Sequence, residues 1–135
     1  MRFIPGFFLF FLFTTNSLYA QDSIKPAKKK SVSRVQYGTA SFYNNKFNGR
    51  KTANGEIFSQ KKMTGAHNSL PLGTYVRVTN LRNKRSVVVK INDRLHARNK
   101  RLIDITKAAA QQLGFVKSGL TRVKLEILGK KAPQS

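Results

Sequence analysis

Tyr75-Val76-Arg77-Val78-Thr79-Asn80-Leu81-Arg82-Asn83-Lys84-Arg85-Ser86-Val87-Val88-Val89-Lys90-Ile91 is the stretch that decides the fold class. Tyr75 to Thr79 alternates at period two, the signature of a strand rather than a helix. Asn80 to Arg85 supplies the turn residues Asn80 and Asn83, and Ser86 to Ile91 is a β-branched run that returns as the second arm of a hairpin. Val87, Val88 and Val89 are consecutive apolar residues, which predicts a strand covered on both faces.

Outward from the hairpin the period stays near two. Val35, Tyr37 and Thr39 alternate with Gln36 and Gly38, and Arg122 to Ile127 alternates with Val123, Leu125 and Ile127 inward and Glu126 outward. One helix interrupts this pattern. Thr106 caps it, Lys107 to Leu113 is rich in Ala and Gln, and Gly114 suits the left-handed residue that ends it. Ala109, Ala110 and Leu113 share one side and can pack on the sheet. Many short strands with one small helix predict a mainly β chain closed into a compact barrel.

The two ends read differently. Met1-Arg2 is a positive start, Phe3 to Phe13 is nearly all Phe, Leu and Ile, and Thr14 to Ala20 is small and polar, the three-part layout of a secretory signal peptide. The apolar run is shorter than the roughly 20 residues a spanning helix needs, so cleavage after Ala20 is expected, with an uncleaved anchor as the alternative. The expected product is periplasmic or secreted, wall-associated and without a stable membrane anchor. Residues 21–33, with Pro26 and Lys28-Lys29-Lys30, form a basic disordered tether. The barrel is expected over 34–128, and 129–135 is a disordered tail. Removing 20 of 135 residues leaves 115, enough for one domain and too few for two.

Without Arg2, 25 basic residues face 5 acidic ones, a net charge of +20. Such a field gathers anionic polymers. Export makes wall polymers, anionic lipids or extracellular DNA the available partners, and no nucleic-acid partner is expected. No cysteine is present, so no disulfide holds the fold and no thiol carries chemistry or lipid. Two distant His residues make no metal site, no Gly-rich phosphate loop follows a strand, and neither metal nor cofactor is expected.

With five acids in the chain, their places are informative. Asp22 lies in the tether and Glu126 on an outer strand position, which leaves Glu56, Asp93 and Asp104 in polar loops or at strand ends. Cleaving a glycosidic bond needs a protonated carboxyl beside the leaving oxygen and a group that takes a proton from the attacking hydroxyl. His67, just before Leu70-Pro71-Leu72-Gly73, is a candidate for the second task. Plainer readings stand beside these. Asp104 can accept hydrogen bonds near the helix start, Asp93 can pair with Arg94 or Arg101, Glu56 can serve the turn at Gly55, and His67 can be structural. His96 reads as a solvated surface residue.

Gly38-Thr39-Ala40-Ser41-Phe42-Tyr43 and Phe47-Asn48-Gly49-Arg50-Lys51-Thr52-Ala53-Asn54-Gly55-Glu56 resemble the opening of the rare lipoprotein A family, whose members look like septal lytic transglycosylases. Thr64 to Thr74, Val76 to Leu81, Ile91-Asn92-Asp93-Arg94 and Ile103-Asp104-Ile105-Thr106 continue it in order. The resemblance implies a six-stranded double-psi β-barrel with one short helix, shared with expansins. It implies Asp104, Asp93, Glu56 and His67 as catalytic residues, and Phe42, Tyr43, Thr52, Asn54, Asn92 and Arg94 as substrate contacts. It further implies a monomer that acts on peptidoglycan glycan strands, preferably stripped of peptide, and leaves 1,6-anhydromuramyl ends.

Departures accompany the match. Phe42 stands where the family usually has Trp, Ser59 where Asp is common, and Leu95-His96 where Gly-Pro is expected, followed by Arg98, Lys100 and Arg101. The lipid-bearing Cys and the C-terminal sporulation-related domain of some relatives are not found. The alternative reading is therefore an expansin-like module that grips wall glycan without cutting it. A third, an exported binder of DNA or lipopolysaccharide, rests on charge alone.

Overall fold

The computed structural model describes residues 34–134. The expected signal peptide at 1–20 and the expected tether at 21–33 lie outside the described residues. Six strands, β1 (Val35–Phe42), β2 (Thr64–His67), β3 (Tyr75–Asn80), β4 (Ser86–Arg94), β5 (Ile103–Ile105) and β6 (Thr121–Gly129), close into a barrel in the order β1-β5-β2-β4-β3-β6. The pairs β1/β5 and β2/β4 are parallel and the remaining four antiparallel. One helix, α1 (Lys107–Leu113), lies between β5 and β6.

The hairpin forms as its sequence demands, with Tyr75 opposite Lys90 and Thr79 opposite Ser86. Val76, Val78, Val89, Ile91, Val123 and Leu125 line the core with Ile103, Ile105 and Leu113. Val88 corrects the expectation of burial on both faces. It is half-buried on the outer wall opposite Arg77, because strand neighbours alternate and no second layer covers that wall.

β1 alternates, but its inward set is the one containing Ala40 and Phe42, and Tyr37 stands 61% exposed. Gly38 makes that phase work. A Cβ there would lie 2.7 Å from the Cβ of Leu102, which packs against the core in the space the glycine leaves. β2 and β5, of four and three residues, carry no periodic signal of their own and exist because each is paired on both edges. β6 continues through Gly129, and the Lys130 ammonium donates to the Leu72 carbonyl at 2.7 Å, so the start of the expected tail is tied to the barrel.

The helix has the ends its sequence foretells. The Thr106 hydroxyl oxygen accepts from the Ala109 N–H, and Gly114 adopts φ 76, ψ 31. Its last carbonyl, on Leu113, accepts from both Asn80 and Asn83 at 2.9 Å. Asn80 is buried, and its Oδ1 also accepts from the Arg82 N–H and the Thr121 hydroxyl. Asn80→Ala leaves both donors unpaired, and chemical denaturation should show a loss of about 2–3 kcal/mol. An unchanged midpoint would mean that the turn does not need this anchor.

Candidate functional site

Residues paired across strands face the same side of a sheet, and the register defines one row: Ser41 opposite Asp104, Asp104 opposite Ala66, and Ala66 opposite Asp93. The two carboxylates thus flank the methyl of Ala66, two strand spacings or roughly 10 Å apart at the backbone. A bulge puts Asp93 there. Gly65 pairs with Ile91 and Ala66 with Asp93, so Asn92 is the extra residue of β4 and shifts the next side chain to the outer face.

A cleft of about 390 Å³ opens over this row. Tyr43, Asn44 and Phe47 form one wall, and Arg94, Leu95, His96 and Arg101 the other. The first wall is braced from behind. Tyr43 stacks on Phe58 with ring centroids 4.3 Å apart and meets the edge of Phe47 at 5.8 Å. Buried Gln60 donates to the Tyr43 carbonyl at 2.7 Å and accepts from the Lys107 N–H, tying the wall to the start of α1.

Each carboxylate is oriented by three donors. Asp104 accepts from the Ser41 hydroxyl and from two nitrogens of Arg101, at 2.7 and 2.9 Å. The same contact raises the pKa of the Arg101 guanidinium. Asp93 accepts from the Tyr43 hydroxyl at 2.8 Å and from the Ala53 and Arg94 N–H groups, each at 2.9 Å. Burial, then the bond to Asp93, pushes the Tyr43 hydroxyl far above its ordinary pKa, so it stays a donor. A carboxylate has about four acceptor positions. One remains open on Oδ2 of each residue, available to a sugar hydroxyl or a transferable proton.

The other expected residues divide. Phe42, Tyr43 and Arg94 line the cleft, although Phe42 also packs on the core, 5.9 Å edge-on from Phe115. Arg94 donates to the His67 carbonyl. Thr52, Asn54, Asn92 and Glu56 form a network behind the cleft rim. Thr52 donates to Asn54, and both Asn54 and Asn92 donate to Glu56 Oε1. The Asn54 bond, followed by the weaker Asn92 bond and the Lys90 and Lys62 charges, holds the Glu56 pKa below the usual carboxylate range. Glu56 does not line the cleft. It steadies the loop whose Ala53 N–H reaches Asp93.

His67 is the main correction. It follows Ala66, and since Ala66 faces the cleft, strand alternation sends the imidazole into the barrel, where the residue is 1% exposed. Its Nδ1 accepts from the Ser69 and Leu70 N–H groups, which puts the ring proton on Nε2, 2.9 Å from Gln36 Oε1. Burial, then the Arg94 charge, lowers its pKa to about 4. The pairing of Asp93 with Arg101 is also corrected, because Arg101 holds Asp104 instead. Ser41 and Gln36 escaped sequence reasoning, and Arg101 was assigned to the other carboxylate. Only the three-residue step from Arg101 to Asp104 offered a signal.

Residues 35–125 match the double-psi β-barrel family described as lytic transglycolase. The chain belongs to this family. Among the lytic transglycolase family's curated members, it is 48% identical to the endolytic peptidoglycan transglycosylase RlpA of Pasteurella multocida over 74% of this chain and 34% of that one. With its counterpart in Neisseria meningitidis the identity is 46%, over 78% and 45%, and with that in Pseudomonas aeruginosa 53%, over 66% and 26%. The chain spans about a quarter to under half the length of these relatives. Two solved structures share the fold. An expansin of Clavibacter michiganensis in complex with cellohexaose has TM-score 0.59 and 19% identity, over 75% of this chain and 54% of that one. Streptomyces papain inhibitor has TM-score 0.58 and 18% identity, over 72% and 96%.

Proposed function

We propose that this lytic transglycolase-family protein is an exported endolytic peptidoglycan transglycosylase that cleaves MurNAc-GlcNAc bonds. The observation that carries the reading is the pair Asp93 and Asp104 on one row beneath an open cleft, each with one acceptor position free. The names of the relatives supply the substrate class.

In this mechanism Asp104, aligned by Ser41 and Arg101, delivers a proton to the glycosidic oxygen as the bond from MurNAc C1 to that oxygen breaks. The C6 hydroxyl of the same MurNAc attacks C1, and its proton returns to Asp104. The leaving sugar gains a hydroxyl, the MurNAc closes its 1,6-anhydro bridge, and no water is consumed. Asp93, held by Tyr43, faces the positive charge that develops at C1. Glu56 and His67 act through the loops they anchor and transfer no proton.

Digestion of peptide-free peptidoglycan by the purified protein, followed by mass spectrometry, tests this. Products 18 Da lighter than hydrolysis products, as expected for loss of one water, are the predicted result. Intact strands at every pH tried would refute it. A second reading, a wall-gripping module, is favoured by one contact. Arg101 occupies three acceptor positions' worth of geometry around Asp104 together with Ser41, a state suited to binding rather than proton delivery. Sedimentation with peptidoglycan without cleavage would support it.

A further inference from the structure

A second concavity, of about 490 Å³, lies on the other edge of β1, lined by Thr39, Leu81, Arg82, Leu120, Thr121 and Arg122. Pairing builds it. Thr39 lies opposite Arg122 in the β1/β6 ladder, and the Leu81 N–H donates to the Arg122 carbonyl at 3.0 Å, which draws the β3–β4 turn beside the start of β6. The result is an apolar floor, with Leu120 53% exposed, rimmed by two exposed arginines.

Those arginines have no counter-charge among the described residues. Among the described residues there are four acids. Glu56 pairs with Lys90, Asp104 with Arg101 and Glu126 with Lys124, while Asp93 is taken by Tyr43 and two backbone N–H groups. No carboxylate among the described residues pairs with Arg82 or Arg122, so both are open to an external anion, and a planar guanidinium favours a carboxylate in two-point contact. The apolar floor between them suits the C–H face of a pyranose.

The depression also shares the outer face of β1 with the carboxylate cleft. Thr39 lines one and Ser41 the other, and residues two apart on a strand face the same side, roughly 7 Å apart. That is less than the length of a disaccharide, so one glycan chain can occupy both. We propose that this depression is a distal subsite of the cleft, in which Arg82 and Arg122 bind the lactyl carboxylate of a MurNAc unit further along the same strand. The inference rests on the proposed substrate and adds where its charge is read. A strand whose lactyl groups are capped by peptide offers no carboxylate at that point.

The test is calorimetric titration in an Asp104→Asn background, so that ligand is not consumed. The probes are a peptide-free MurNAc-GlcNAc octasaccharide and a GlcNAc octamer. Arg82→Gln with Arg122→Gln should weaken octasaccharide binding about tenfold, with the uncharged octamer changed less than twofold and the thermal midpoint unmoved. Equal octasaccharide affinity in both proteins would overturn the subsite while leaving the cleft's function intact. Equal losses on the GlcNAc octamer would overturn carboxylate recognition. No binding of any glycan by the parent would remove the proposed function itself.

Discussion

Asp104→Asn should lower the rate of glycan cleavage about 10²–10⁴-fold, the range for loss of a positioned acid–base group, while the protein still sediments with peptidoglycan. The amide keeps the shape of the carboxyl and an oxygen for Ser41, but it cannot carry a proton to the leaving oxygen. Arg101 loses its partner in the variant. With its side chain 37% exposed it returns to water, so little stability should be lost. Anhydro-ended products counted by mass spectrometry, with sedimentation as the control, read both quantities. Cleavage within a few-fold of the parent would remove Asp104 from the chemistry. Loss of binding and cleavage together would point to a damaged cleft.

The barrel and the cleft were legible in the sequence to different depths. Tyr75 to Ile91 and Arg122 to Ile127 disclosed their strands because alternation survives where one face meets the core and the other meets water. β2 and β5 did not, because three or four residues are too few for a period and their conformation is imposed by neighbours on both edges. The scarcity of acids pointed to Asp93 and Asp104, and both line the cleft. The fate of Glu56 and His67 turned on local geometry that composition does not encode. A bulge at Asn92 turns Asp93 outward, whereas β2 runs straight through Ala66 and turns His67 inward. Resemblance supplied the residues of interest, and strand parity then separated those that face the cleft from those that do not.

Parity also fixes what His67 should do to stability. Its folded pKa is about 4 against 6.5 for a free imidazole, because burial inside the barrel disfavours the charged ring and the Arg94 charge adds to that. Below about pH 6.5 the unfolded chain takes up this proton and the native chain does not. Stability is therefore full above pH 6.5 and is lost as pH falls towards 4, by on the order of 3 kcal/mol from this group. Urea denaturation at intervals between pH 7.5 and 4 should show this fall at constant m-value. His67→Gln, which has no titrating ring, should start less stable at pH 7.5 and lack the slope. Its cleavage of glycan should keep the pH profile of the parent, since the ring lies outside the proton path. Matching slopes in the two proteins would show that His67 is not the titrating group, and a changed profile would return the imidazole to the chemistry.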